Sequence, residues 1–217
     1  MAGKFSKIIE QIKSMTTVKA GEVLEAVKKG EVVDAVEDGG RVGRVSAGGE
    51  VLRVSDGGVV ESVESGGKVF RVEDGGRVMR VETGGEVWGV ADGGEVFRVE
   101  AGGRVMRVES GGEIQRVAAG GRVGIVADGG EVWRVEAGGR VIRVETGGVI
   151  QRVADGGEVF RVEAGGRVGF VETGGVVKCV EDRGEVVRVE DGGKILNDNR
   201  TAIGAAEAAD EVLQEKT

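Results

Sequence analysis

The residues with most chemistry to offer in this sequence are carboxylates, and they come in adjacent pairs such as Glu181–Asp182 and Glu190–Asp191. Two acids facing each other across a sugar could hydrolyse a glycosidic bond. Acids, singly or in such pairs, however, recur at the end of most of the short units described below, which is the distribution of turn-formers and solubilising groups. There is no histidine to move a proton or ligate a metal, and the serines have no base beside them. Cys179 is the single cysteine, so no intrachain disulfide can form, and it reads as an incidental residue at a variable position. No catalytic, cofactor-binding or metal-binding residue is assigned, and no enzyme activity is expected.

The composition agrees with that reading. The 217 residues include 43 Gly, no Pro, no Tyr and only seven aromatic side chains (five Phe, two Trp), too plain an inventory for a varied core and an active site. The formal charge of −8 arises from 38 acidic and 30 basic residues interleaved along the chain. No basic stripe is available to track a phosphate backbone, and nucleic acid is not an expected partner. The opening MAGKFSKIIEQIKSM lacks the apolar run of a secretion signal. No segment approaches the roughly 20 apolar residues that span a bilayer, so cytoplasmic synthesis without membrane insertion is expected.

Self-similarity organises the chain. From Gly39 to Asp191 it reads GG-x-V-x-x-V-x-x, stepping by nine without insertion or deletion. The Gly pair fails once, where Arg183 stands in the first place. Degenerate units extend the array back through Gly30-Glu31 and Gly21-Glu22 to Met15 and Val18. Each unit is a short β-branched and charged run followed by a small or acidic residue and the two glycines, which predicts a strand and then a corner. Corner residues are accordingly Gly39, Gly40, Gly102, Gly103, Gly165 and Gly166. The predicted core consists of the position-four and position-seven valines: Val42, Val45, Val105, Val108, Val132, Val135, Val159 and Val162. In a flat strand two residues three apart face opposite ways. Either the strand bends so that both enter one narrow core, or both faces are covered.

Position six is Arg in twelve of the seventeen units that begin between Gly39 and Arg183, and position eight is most often Glu. Stacked units would carry these as a solvated charged coat that also guards against lateral aggregation. The bulkier residues Trp88, Phe97, Met106, Trp133, Ile142 and Phe160 sit at position five. At position eight the order Glu73, Glu82, Ala91, then Glu100, Glu109, Ala118, suggests a 27-residue superperiod and hence a three-sided helix. Two such arrangements fit: a single-chain solenoid whose faces stack every third unit, and three chains intertwined about a threefold axis.

The ends favour the second. Phe5, Ile8, Ile12 and Met15 follow helical 3-4 spacing, and Ile203, Ala206 and Leu213 lie along one side of an Ala-rich terminal segment. Three copies of each meeting on an axis would cap the rod and set chain register. The expected organisation is an N-terminal helix over 1–14, a nine-residue-repeat shaft over 15–199 and a C-terminal helix over 200–217. The fold expected is all-β, a three-sided β-helix or β-solenoid rod, as an intertwined homotrimer.

The nonapeptide period invites comparison with the calcium-binding RTX β-roll, whose repeat is GGxGxDxUx. Here position four is Val and position six Arg, as in Val105 and Arg107, so the calcium carboxylate is replaced by a cation and no calcium is expected. The valine-punctuated, Gly-cornered unit resembles in style the triple-stranded β-helix shafts of bacteriophage tail fibres, spikes and needles, differing in its period of nine and its paired glycines. That resemblance implies a homotrimeric virion fibre, whisker or needle shaft held at one end through a terminal helix. Two further readings stay open: a bacterial or archaeal filament or scaffold subunit, in the cytoplasm or outside the cell, and a monomeric solenoid that binds a ligand.

Overall fold

The computed structural model describes residues 15–200. Twenty-one strands follow one another, from β1 (Met15–Val18) and β2 (Val23–Val27) to β20 (Glu185–Val189) and β21 (Lys194–Asp198). Every strand after the first has five residues, positions three to seven of its unit. Four-residue corners join them. Strands pair in parallel with the strand two further on, so the odd-numbered ones form an eleven-stranded sheet and the even-numbered ones a ten-stranded sheet. Val96 lies opposite Ile114 and Val105 opposite Val123. One coil therefore takes 18 residues, or two units, and stacked corner residues bond at that same interval. With ten spacings of roughly 4.8 Å between its strands, the odd sheet runs for about 48 Å along the axis.

This corrects the three-sided expectation. Each nine-residue unit reverses the chain instead of turning it by a third. The core explains why: it is filled by Val, with Ile114 and Ile150 the largest fully buried side chains. Two sheets back to back close over such small side chains without leaving a void. The intertwined winding is corrected as well. Each interior strand finds both its neighbours 18 residues away in its own chain, so the sheet hydrogen bonds close without a second chain.

The strand resolves its parity problem by bending. Ladder partners match at positions three, four, six and seven, and from the pairing of β2 with β4 (Arg41–Val45) onward position five is passed over in every pairing. That irregular residue turns position seven back to the face of position four. Val42, Val45, Val108, Val132, Val135, Val159 and Val162 are wholly buried and Val105 nearly so. The neighbouring Trp133 is 47% exposed, which shows how sharply the bend separates adjacent positions.

The two corner glycines answer different demands. Gly39, Gly102 and Gly165 hold φ of 78°, 75° and 75°, a conformation that favours Gly because a Cβ crowds the backbone there. Their partners Gly40, Gly103 and Gly166 have ordinary φ but lie against the coil beneath: a Cβ on Gly166 would stand 2.7 Å from the Val144 carbonyl oxygen. Arg183, the one substituted residue, takes the first place with φ 61°, while Gly184 keeps the second. At the N-terminal corners Glu22 and Glu31 occupy the second place, and their carboxylates accept from the amides of Lys19 and Lys28 at 2.9 and 2.8 Å.

Met15, expected on a helical stripe, begins β1 and pairs with Val32 of β3 (Val32–Val36). The nine-residue phase would set it at position four, but the register shifts between Thr16 and Thr17, so it meets position-three Val32, and this strand pairing overrides the 3-4 spacing it shares with Ile12. The remaining helix-assembly residues, Phe5, Ile8, Ile12, Ile203, Ala206 and Leu213, lie outside the described residues.

Candidate functional site

The outward faces, edges and ends of the rod are where it can meet anything else. Position-six arginines stand directly above one another, as Arg80, Arg98 and Arg116 do on the even sheet. Their carboxylate partners sit at position eight of the same coil or of the following ones. Arg143 reaches Glu163 and Arg152 reaches Glu172, twenty residues on, at 3.3 and 3.2 Å. At some of the places that hold Ala the arginine stretches a further coil, as Arg107 does to Glu145 at 3.0 Å, past Ala127, and Arg134 to Glu172 at 3.4 Å, past Ala154. Both partners keep contact with water in each pair, so an isolated bridge contributes about 0–1 kcal/mol.

Position three carries a second set of charges, opposite in sign between some adjacent coils and alike between others, as in Arg104, Arg122 and Arg140 or Glu95, Glu113 and Glu131. Glu50 faces Lys68, Arg77 faces Glu95, Glu86 faces Arg104, Arg140 faces Glu158 and Arg167 faces Glu185, at 3.2 to 3.9 Å. A signal of the two-unit coil that position eight obscured lies in the corners, where Asp38, Asp56, Asp74 and Asp92 stack on a single edge.

Position five divides the faces. On the odd sheet it gives a nearly continuous apolar stripe through Leu52, Phe70, Trp88, Met106, Ile142 and Phe160, interrupted by Gly124. The Phe70 and Trp88 rings touch, and the Lys178 ammonium closes the stripe 3.8 Å above the Phe160 ring. The even sheet is mixed at this position: Glu61, Met79, Phe97, Gln115, Trp133 and Gln151. Reading each unit alone, position five shows only irregular alternation; sorting alternate units onto two sheets reveals the stripe.

A groove of about 680 Å³ crosses the even sheet, with four arginines and one glutamate among its walls. It is a cationic patch on an acidic chain. The corner groove that includes Arg107 has the opposite balance, with Glu109, Asp128, Glu145 and Glu163 beside it. Among the described residues no group of three or more acids and Cys is arranged to hold a metal ion. Cys179 is half-buried on the odd sheet, with the Asn199 amide 3.9 Å from its sulfur.

At the two ends the sheets stop with open edges. β1, β2, β20 and β21 each pair with a single described strand. Val189, a position-seven residue of the kind that coils elsewhere bury, is 39% exposed at the C-terminal end. Arg200 folds back over this end, donating from Nη1 to the Val186 carbonyl at 3.4 Å and pairing with Asp198. The Arg200 hydrogen bond holds the Asp198 carboxyl below its ordinary pKa. A search of protein-family models and a search of curated proteins find no match to this chain.

Proposed function

We propose that the chain is a non-catalytic structural rod, a rigid spacer that joins to further copies of itself through its ends. The observation that carries this reading is the pair of open edges. Among the described residues, sheets of ten and eleven parallel strands end on strands paired along one edge only, and the last coil leaves Val189 exposed. A strand edge with its hydrogen-bonding groups unpaired is a template for another strand. Here the free edge at β20 and β21 meets the parallel edge at β1 and β2 of a second copy with the same polarity, so head-to-tail contact is heterologous and open-ended. Such a rod suits a filament or scaffold subunit. Sedimentation velocity across a concentration series, with negative-stain images of the same samples, tests it: linear particles that lengthen with concentration support the reading, and particles of constant single-rod length oppose it.

One observation favours a second reading. The apolar stripe through Phe70, Trp88, Met106 and Ile142 runs along the odd sheet parallel to the axis. Three rods packed side by side through these stripes would make a homotrimeric shaft, the form in which a virion fibre attached by a terminal segment would use this chain. A concentration-independent trimer in the same sedimentation experiment supports that form.

A further inference from the structure

We infer that the even-sheet groove over Arg80, Arg98 and Arg116 is a binding site for an acidic oligosaccharide, a linear chain of sugars bearing about one carboxylate each, lying along the rod axis. The inference stands on the groove alone and holds whether or not the rod polymerises.

The site arises where the charge ladder fails. Most other position-six arginines are neutralised from position eight, two, twenty or thirty-eight residues further along; Arg53 instead meets Asp34, and Arg44 and Arg188, like Arg80, make no ion pair among the described residues. For Arg98 the residue twenty further is Ala118, buried and uncharged. Its remaining contact is Glu100, whose Oε1 lies 3.1 Å from Nε but off the N–H direction, so the buried Nε donates no hydrogen bond. Arg80 is deprived twice over. The Glu82 carboxylate accepts from Ser62 at 2.7 Å, and Arg80 makes no ion pair among the described residues. Arg116 keeps its bridge to Glu136 at 3.1 Å. Three stacked guanidinium groups thus share fewer carboxylates than the repeat normally supplies, and at least one donor has nowhere to go.

The rest of the groove fits a sugar better than a bare anion. Met79 and Phe97 form its apolar side at position five, with Gln115 beyond them, and the Arg41–Glu61 pair closes one end. A pyranose ring presents a C–H face that packs on Met and on the Phe ring, while its carboxylate meets the guanidinium fork in two parallel hydrogen bonds. Arginines repeat at the strand spacing, roughly 4.8 Å, a step that successive sugars of an extended chain can follow. Nucleic acid fits less well, since one phenyl ring gives a single stacking surface and the overall charge of −8 repels a denser polyanion.

The test uses the full chain and isothermal titration at low salt with a short oligogalacturonate, a neutral malto-oligosaccharide of equal length, and single-stranded oligothymidylate of equal charge. Binding of the oligogalacturonate, none of the neutral sugar, and weaker binding of the oligothymidylate by about tenfold or more is the expected result. Ala118→Glu restores the missing carboxylate at a place where the repeat ordinarily carries Glu, and is expected to weaken binding by about tenfold with the circular dichroism spectrum unchanged. Arg80→Gln with Arg98→Gln is expected to abolish it, and Arg53→Gln with Arg161→Gln on the odd sheet to leave it intact. No binding of the oligogalacturonate, equal binding of the oligothymidylate, or equal loss from the odd-sheet pair each overturns the inference.

Discussion

Phe70 and Trp88 stand on adjacent strands of the odd sheet with ring centroids 5.4 Å apart and planes tilted by 35°. They are separated in sequence by the length of one coil, and a tilted aromatic pair at this distance is worth about 0.5–1.5 kcal/mol beyond its buried area. A double-mutant cycle with Phe70→Ala and Trp88→Ala, read by chemical denaturation, is expected to give a coupling of about 0.5–1 kcal/mol. A coupling of zero would separate the two rings.

The corner glycines predict an asymmetry. Gly165→Asn places a residue that tolerates left-handed backbone at a site where Arg183 shows the conformation to be accessible, and is expected to cost about 1 kcal/mol or less. Gly166→Ala drives a methyl into the Val144 carbonyl and is expected to cost more, about 1–3 kcal/mol. Equal losses in the midpoint of denaturation would contradict two separate roles for the pair.

Strand, corner, core valines and charged coat were legible in the sequence because each has a local cause. Gly39 must turn, Gly40 must lie flat on a neighbour, and Val42 and Val45 are the apolar residues available for an interior. The number of sides was not legible in the same way, because it depends on how far one corner rotates the chain, and all units share nearly the same corner. Position eight misled: its alanines at 91 and 118, and again at 127 and 154, are 27 residues apart, yet Arg71, Arg107 and Arg134 simply reach past an Ala to the next carboxylate. The corner series Asp38, Asp56, Asp74 and Asp92 held the 18-residue period all along. The even-sheet groove was illegible for a related reason, since Ala118 looks like one more variant until Arg98 is seen to need it.

The bend at position five predicts opposite behaviour for adjacent residues. Val132→Ala removes wholly buried methyl groups and is expected to cost about 2 kcal/mol, whereas Trp133→Ala, on the outer face, is expected to cost about 0.5 kcal/mol or less. Paired denaturant titrations check this. A larger loss at Trp133 would reverse the assignment of faces.

The C-terminal closure carries a pH dependence. The Arg200 hydrogen bond lowers the Asp198 pKa in the fold, so the carboxylate's contribution is fully present above the unfolded value and is lost as pH falls through the lowered folded one. Hydrogen exchange at the Asn199 amide, which bonds the Val180 carbonyl at 2.9 Å, is expected to lose protection in acid, below the ordinary carboxylate range. In Asp198→Asn that protection is expected to be low at neutral pH already and to change little in acid. Identical pH profiles for the two chains would remove the Asp198–Arg200 pair from the closure.

The two-unit coil is the central claim, and one distance tests it. Spin labels at Ala47→Cys and Thr173→Cys, in a chain carrying Cys179→Ser, mark exposed corner residues on one edge of the rod. Pulsed electron spin resonance is predicted to place them seven coils apart, about 34 Å along the axis. A separation near 22 Å along the axis would be that of about five three-sided coils, and one near 67 Å that of units advancing a full strand spacing each, roughly 4.8 Å per nine residues. Either of these would contradict the two-sided solenoid.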